Sequence, residues 1–211
     1  MMMAQGRAYS GGRAGVTLIE LIVVLAIIGI IATIGSFTLG DLVRKYRLDT
    51  AATDTVARLR LAKMLSVTRN ATVSVRFDTT AGSYFAFLDT NKNGVRDAGP
   101  PEESYINLDS GRESDLAIAT KTIHMRVSMY NANFGGGQAV AFSPPAGLPT
   151  DSLLPAGAIN GVVCFRATID DRNEYRRITI SSIIGKVTLW KEALNQNPEC
   201  TTTDANWEKE F

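Results

Sequence analysis

One segment near the amino terminus limits what this chain can fold into. Residues 16–35, VTLIELIVVLAIIGIIATIG, are apolar apart from Glu20, two threonines and the glycines. At about 1.5 Å per helical residue the segment spans roughly 30 Å, the thickness of a bilayer's hydrocarbon core. Its Leu, Ile and Val side chains favour insertion by roughly 4–7 kcal/mol, whereas Glu20 opposes it by at most about 3.5 kcal/mol. We therefore expect a single transmembrane helix.

Three other interpretations of this segment stay open at this point. One is a helix buried in a soluble core, although so long a run that is apolar on all sides is rare there. Another is a cleavable secretory signal, but such a signal ends in small residues with an A-x-A-like pattern, and the sequence that follows is SFTLG. The third is a segment that only anchors the chain in the membrane, because hydrophobicity alone does not distinguish such an anchor from a helix with a further function.

The junction that precedes the apolar run separates these interpretations. A leader, residues 1–15, carries Arg7 and Arg13 but no acidic residue and ends at Gly15, and VTLIE follows. This junction resembles the signal of type IV prepilins and type II secretion pseudopilins. The resemblance implies that a prepilin peptidase cuts between Gly15 and Val16 on the cytoplasmic side and that the new Val16 amine is methylated. One departure from the family is Val16 itself, where Phe or Met is most common.

Glu20 is the single charged residue between Ala14 and Gly40. An ionisable group at membrane depth is costly unless it has a partner. After cleavage Glu20 would lie about one helical turn from the new terminus, and in a staggered filament it would meet the amine of a neighbouring subunit. A buried pair of this kind sets register more than stability. The alternative is a carboxylate that reaches towards the lipid headgroups.

Helical periodicity continues beyond the apolar run. Residues 41–70 contain no proline and no glycine. Apolar and small residues recur there at steps of four and three: Leu48, Ala52, Thr55, Leu59 and Ala62. This spacing predicts one buried helix face. We therefore divide the chain into a leader (1–15), a transmembrane or filament-core helix (16–40), an amphipathic continuation (41–70) and a head domain (71–211).

After residue 70 the hydrophobic period changes from 3.6 to 2. Seven short segments have the alternation or composition of strands: Val73–Phe77, Ser83–Leu88, Lys121–Met129, Ala139–Phe142, Val162–Ile169, Tyr175–Ser181 and Lys186–Trp190. They predict an antiparallel β-rich head, and the whole chain is expected to have an α+β fold. Residues 144–157, which begin with Pro-Pro, are expected to form a loop.

A long amino-terminal helix whose outer half packs on a β-rich head resembles the pilin architecture. Residues 58–77, AVAFSPPAG at 139–147 and YRRITISSIIGKVTLW at 175–190 are similar to H-type minor pseudopilins and FimT-like minor pilins. The resemblance implies a structural filament subunit, held in the inner membrane with its head in the periplasm. Its partners would be other pilins or pseudopilins, the prepilin peptidase and the inner-membrane assembly platform. Residues 102–120 and the tail after Trp190 are not covered.

Composition excludes several other classes of protein. The 22 basic and 21 acidic residues give a net charge of +1, which leaves no global basic footprint for nucleic acid. The two cysteines, Cys164 and Cys200, are too few for a disulfide-built scaffold. In an oxidising compartment they are expected to form one disulfide, although a buried free Cys164 with a loose Cys200 is the alternative.

Residues 89–97, DTNKNGVRD, resemble the first half of a calcium-binding loop. Oxygen ligands at alternate positions are Asp89, Asn91, Asn93 and Asp97, with glycine at the sixth position. Proline stands at the twelfth position, where a bidentate glutamate is needed, so the EF-hand signature is incomplete. A hairpin turn built from Asn and Gly is the alternative. No other cofactor is expected.

Basic residues are concentrated near the carboxy-terminal end of the head. The candidates for contact with DNA are Arg172, Arg176, Arg177 and Lys186. DNA-capturing minor pilins use basic patches in this part of the head, so a role in DNA uptake is the alternative function. A mildly basic, solvated hairpin explains the same residues, because phosphate binding needs a denser patch. Nucleic acid is therefore not an expected partner.

Enzymatic chemistry has little support in the sequence. His124 is the single histidine, and it shares a predicted strand face with polar residues. No G-x-S-x-G elbow and no phosphate-binding loop is present. The sequence favours a non-enzymatic subunit of a secretion pseudopilus or a pilus, and it does not choose between these two machines.

Overall fold

The computed structural model describes eleven stretches of the chain: residues 15–92, 105–114, 119–123, 126–134, 137–144, 148–150, 161–169, 172–181, 185–192, 200 and 207–210. They contain one long helix, α1 (Leu18–Thr68), and twelve strands. The strands are β1 (Val73–Asp78), β2 (Ser83–Leu88), β3 (Tyr105–Asn107), β4 (Arg112–Ser114), β5 (Lys121–Thr122), β6 (Ser128–Asn133), β7 (Ala139–Ser143), β8 (Leu148–Thr150), β9 (Gly161–Ile169), β10 (Arg172–Ile180), β11 (Val187–Glu192) and β12 (Trp207–Lys209).

The chain divides into two compact units, which we call the N-terminal unit (1–40) and the head (41–211). In the head, the strands form two antiparallel sheets. The first has the order β4-β3-β2-β1-β7-β8, with β5 paired to β2, and the second has the order β12-β11-β10-β9-β6. The α+β prediction, a long amino-terminal helix with an antiparallel β-rich head, is confirmed.

The head part of α1 buries one face in the core that both sheets share. The residues predicted for this face, Leu48, Ala52, Thr55, Leu59 and Ala62, are all buried. They pack with the apolar side of the first sheet, such as Val75 and Phe142, and of the second, such as Phe165 and Ile178. The 3.6-residue period therefore located the core face correctly.

Helix α1 ends in a capping motif that the sequence specifies. Asn70 adopts a left-handed conformation with φ of 49°, which Asn tolerates better than most residues. The Ala71 N–H donates to the Ser66 carbonyl at 3.2 Å, and the Asn70 N–H donates to the Val67 carbonyl at 3.3 Å. These are the two bonds of a Schellman motif, which stops the helix and turns the chain into β1.

Two predictions of local structure in the head are wrong. The segment 121–129 is not one strand: β5 pairs with β2 in the first sheet, and β6 pairs with β9 in the second, with an irregularity at Met129. The chain changes sheets between them, which alternation of residue types cannot reveal. The expected loop at 144–157 contains β8, which pairs with β7; residues 145–147 and 151–157 lie outside the described part of the chain.

Glycine is required where β9 begins. A Cβ atom at Gly161 would lie 2.1 Å from Cδ1 of Phe134. Phe134 is buried and stacks on Phe77 at a centroid separation of 5.4 Å, so its ring has no room to withdraw. Gly161 therefore lets the second sheet approach an aromatic cluster of the core.

Candidate functional site

The start of α1 brings together the residues predicted for processing and assembly. Gly15 and Val16 are exposed and precede the helix, which begins at Leu18. The Glu20 N–H donates to the Thr17 hydroxyl at 3.4 Å, so Thr17 is the N-cap. Thr17 and Glu20 have the spacing of a capping box, in which the acidic residue also faces the positive end of the helix dipole. This T-x-x-E signal is present in the sequence, but the prediction for Glu20 did not include it.

Apolar side chains cover the N-terminal unit on every side of the helix. Those with more than half of their surface exposed are Val16, Leu18, Ile19, Leu21, Ile22, Val23, Leu25, Ile27, Ile28, Ile30, Ile31 and Leu39. The polar Thr33 is satisfied within the helix, since its hydroxyl donates to the Ile30 carbonyl at 2.7 Å. So large an apolar surface marks a region that contacts lipid or other protein.

Among the described residues, no helix combines the length and the mean hydropathy of a membrane-crossing segment.

The cysteines form the predicted disulfide. Cys164 lies on β9 with its side chain buried, and Cys200 lies in the tail, with the two Cα atoms 6.0 Å apart. Beyond Cys200 the chain continues to β12, which pairs with β11. The disulfide and this pairing attach the carboxy-terminal tail to the second sheet at two points.

The structure corrects the DNA-contact prediction for Arg176, which is 1% exposed. The Arg176 Nε donates to Asp49 of α1 at 2.6 Å, and its Nη1 donates to the Tyr175 carbonyl at 2.8 Å. Glu174 lies 3.5 Å from its Nη2. Arg176 therefore joins β10 to the helix, and it does not present its charge to solvent.

Arg177 is also buried, on the other side of β10. Its guanidinium lies between the rings of Trp190 and Trp207, with centroid distances of 5.0 Å and 4.7 Å. This sandwich holds β12 against the sheet through cation–π contacts. The DNA-contact prediction is wrong for Arg177 as well, because a phosphate cannot reach a fully buried guanidinium. Arg172 and Lys186 are exposed.

The calcium prediction is only partly covered by the described residues. Asp89 is completely buried and accepts a hydrogen bond from the Ser74 hydroxyl at 2.7 Å. Asn91 is exposed, whereas Asn93 and Asp97 lie outside the described residues, as does His124. Within the described ranges no cluster of three His, Cys, Asp or Glu side chains has the geometry of a metal site. Calcium binding stays a prediction.

The capped apolar helix, its exposed Gly15–Val16 junction and the two-sheet head define a pilin-like protein. Two family models agree with this class. Residues 11–36 match the prokaryotic N-terminal methylation motif, and residues 51–183 match the type II transport protein GspH. The chain belongs to the GspH family. This confirms the resemblance to H-type minor pseudopilins and the expectation of a structural, non-enzymatic subunit.

Individual relatives were also found. Over 88 residues the chain is 34% identical to the pilin-like protein PilA1 of Thermus thermophilus, which covers 41% of this chain and 55% of the relative. The chain therefore spans about half the length of that curated relative. The solved structure of the minor pseudopilin EpsH from the type 2 secretion system of Vibrio cholerae has a TM-score of 0.40 and 16% identity, and the match covers 69% of this chain and 97% of that one.

Proposed function

We propose that this protein is a minor subunit of a type II secretion pseudopilus or a type IV pilus, and that it assembles through its N-terminal unit. The observation that carries the proposal is the ring of exposed apolar side chains around α1, directly after the Gly15–Val16 junction. Leaving such a surface in water is unfavourable by about 25 cal/mol per Å². Lipid before assembly and neighbouring helices after assembly would both cover it.

Processing by a prepilin peptidase is the first step of this proposal. The methylation motif spans the junction, and the peptide bond between Gly15 and Val16 lies in an exposed, non-helical segment. A Cβ atom at Gly15 would meet nothing within 4 Å. A glycine preference there would come from the peptidase, because the fold of this chain does not require it.

The inner membrane is the proposed location of the N-terminal unit, with the head in the periplasm. The disulfide between Cys164 and Cys200 supports an oxidising compartment for the head. The assembly platform would then extract the subunit from the membrane and pass it into the filament.

Glu20 is the proposed contact with the methylated amine of a neighbouring subunit. It lies in the first turn of α1, one turn from Val16, and it is exposed. Capping of its own helix and pairing with a neighbour make different demands on this side chain. A glutamine serves in a capping box, whereas pairing with a cationic amine in an apolar filament core requires the negative charge.

Substitution of Gly15 tests the processing step. Mass spectrometry of the chain produced in a host with a prepilin peptidase is expected to show a methylated Val16 as the first residue. The Gly15→Val variant is expected to keep its full leader. A Gly15→Val chain that still begins at Val16, or an unmodified chain that keeps its leader, would contradict the proposal.

Two substitutions of Glu20 test the assembly step. Glu20→Gln and Glu20→Ala are both expected to be cleaved normally and to lose at least tenfold in filament incorporation, measured by sedimentation of sheared filaments. If Glu20→Gln incorporates like the unmodified chain and only Glu20→Ala fails, the residue acts as a cap and the pairing is wrong. Thr17→Val, which removes the capping hydroxyl and keeps the charge, is the matched control.

A further inference from the structure

A second surface of the head combines positive charge with exposed apolar side chains. We call it the basic–apolar patch and define it as Arg60, Met64, Val67, Lys186 and Lys209. Arg60, Met64 and Val67 lie on α1 at steps of four and three, so they share one helix face. The Arg60 guanidinium donates to the Val187 carbonyl at 3.3 Å, which places this face beside the start of β11.

Positive charges converge on the patch, and no described residue forms an ion pair with them. Lys186 is exposed and lies beside Lys209, and this neighbouring ammonium, together with Arg60, lowers the pKa of Lys186. Among the described residues, no carboxylate lies within ion-pair distance of Arg60, Lys186 or Lys209. Like charges side by side are unfavourable, so an anionic group placed between them would be stabilised.

Apolar surface borders these charges. Met64 is 54% exposed and Val67 is 44% exposed, in contrast to their buried helical neighbours Ala62 and Leu65. A shallow groove of about 300 Å³ runs over this face and is lined by Arg60, Lys63, Met64, Val67 and Thr68. The groove has room for one or two aliphatic side chains, and two of its lining residues, Arg60 and Lys63, are cationic.

We propose that the basic–apolar patch docks a short acidic protein segment that inserts one or two aliphatic side chains into the groove. The inference rests on the proposed function, since a filament subunit needs protein partners at its head. Charge complementarity favours carboxylates in the segment. The apolar groove favours a protein over a nucleic acid, because a phosphate backbone gains nothing from Met64 and Val67, whereas an aliphatic anchor does.

Peptide binding tests this surface directly. The probe is a fluorescein-labelled helical peptide with Leu at steps of three and four and Glu at the flanking positions. Fluorescence anisotropy measures its binding to the full chain in non-ionic detergent micelles, with protein-free micelles subtracted. A peptide with Gln in place of every Glu, and a 20-base-pair DNA duplex, serve as comparison probes at low and at physiological salt.

Paired variants locate the binding on the head. Lys186→Glu with Lys209→Glu is expected to weaken acidic-peptide binding at least tenfold, and Met64→Ser with Val67→Ser at least threefold. The matched control, Arg76→Glu with Arg172→Glu, makes the same charge change at exposed positions elsewhere. Far-UV circular dichroism and an intact disulfide confirm that each variant is folded. The Gln peptide is expected to bind at least tenfold more weakly than the Glu peptide.

Three results would overturn the inference. The first is an acidic peptide that does not bind, and the second is an equal loss in the control pair, which would indicate non-specific charge attraction. The third is tighter binding of the DNA duplex that depends on Lys186 and Lys209 but not on Met64 and Val67, which would make nucleic acid the occupant. The assay requires neither cleavage nor assembly, so its failure leaves the proposed function standing, and a failure of the Gly15 or Glu20 tests leaves this result unaffected.

Discussion

The two units of the chain use apolar residues in opposite ways. In the N-terminal unit, leucines such as Leu21 and Leu25 are more than half exposed, whereas in the head Leu48 and Leu59 of the same helix are completely buried. The helix geometry is common to both, so the difference lies in what packs against the helix. Two sheets of the chain itself cover the helix in the head, whereas the apolar side chains of the N-terminal unit are exposed.

This contrast explains the pattern of charges along α1. The head part needs one apolar face, so charged residues such as Asp54 and Arg60 occupy the others. The N-terminal unit is apolar on every face, which agrees with the proposed cover by lipid or by neighbouring helices around the whole helix. The distribution of apolar residues along a helix therefore depends on the surroundings of the helix as well as on the fold of its own chain.

Truncating one leucine in each unit is the test of this contrast with the largest expected effect. Leu59→Ala is expected to lower the free energy of unfolding by about 4 kcal/mol, because it removes buried methyl groups and leaves a cavity. Leu25→Ala is expected to change it by less than about 0.5 kcal/mol, since that side chain is 59% exposed. Guanidinium unfolding of the full chain in micelles, followed by tryptophan fluorescence, measures both. Equal losses at the two positions would contradict a head whose core is self-contained.

Removing the disulfide tests how much the head depends on its tail. Cys164→Ala with Cys200→Ala is expected to destabilise the head by about 3 kcal/mol. Closing a loop of this length lowers the conformational entropy of the unfolded chain, and this stabilises the folded state by at most about 4 kcal/mol. Reduction by dithiothreitol is expected to have the same effect. An unchanged unfolding midpoint under reducing conditions would mean that β12 and the Arg177 sandwich hold the tail unaided.

The pH dependence of stability measures how well the head interior excludes water from the Tyr84 phenol. Burial raises the pKa of Tyr84 to about 12, above the ordinary value of 10.0. Between those two pH values the unfolded chain loses the phenol proton before the folded chain does, so stability falls as pH rises. At about pH 11 the loss is roughly 1.4 kcal/mol.

Tyr84→Phe is expected to remove this alkaline loss, when unfolding free energies at pH 8 and pH 11 are compared. Tyr46→Phe removes the same hydroxyl from a side chain that is 71% exposed, and it is the control. If the unfolding free energies of the two variants depend on pH in the same way between 8 and 11, water reaches the Tyr84 phenol more readily than its burial indicates.

Periodicity in the sequence predicted the long elements of the head and failed on the short ones. The buried face of α1 and strands such as β1, β2 and β9 follow from spacing alone, because each repeats its pattern several times. The strands β3, β4, β8 and β12 have three residues each. They exist because a neighbouring strand offers hydrogen bonds, and three residues hold too little alternation to be recognised.

The prediction that Arg176 and Arg177 are exposed DNA contacts was wrong for a different reason. Sequence patterns treat a cluster of basic residues as solvated, since an arginine is rarely fully buried unless it is paired. The partners of Arg176 and Arg177 are Asp49 on the helix and the two tryptophans of β11 and β12, which are distant in sequence. The N-terminal junction was predictable because its signals, from Arg7 to Glu20, lie close together along the chain.

The hairpin formed by β3 and β4 provides the smallest test, and it lies within residues 102–120, which the motifs quoted for the family resemblance in the sequence did not include. Asp109 in its turn contacts both Arg58 of α1 and Lys121 of β5. Lys121, and after it Arg58, lower the pKa of Asp109. Asp109 is 53% exposed, so solvent screens the network, and Asp109→Asn is expected to cost only about 0.5 kcal/mol at pH 7. Because the folded-state pKa is depressed, this contribution is present above the ordinary aspartate value and is lost as pH falls through the folded pKa.

Urea unfolding of Asp109→Asn and of the unmodified chain at pH 7 and at pH 2.5 measures the contribution of this network. The difference is expected to shrink as the pH falls from 7 to 2.5, and also in about 1 M salt at pH 7. Glu210→Gln removes a carboxylate outside the hairpin and controls for net charge. A difference of the same size at pH 7 and at pH 2.5 would mean that Asp109 acts through its backbone turn, in which its N–H donates to the Asn107 side chain at 2.8 Å. The hairpin would then be docked on the helix by packing, in the same way as the long strands.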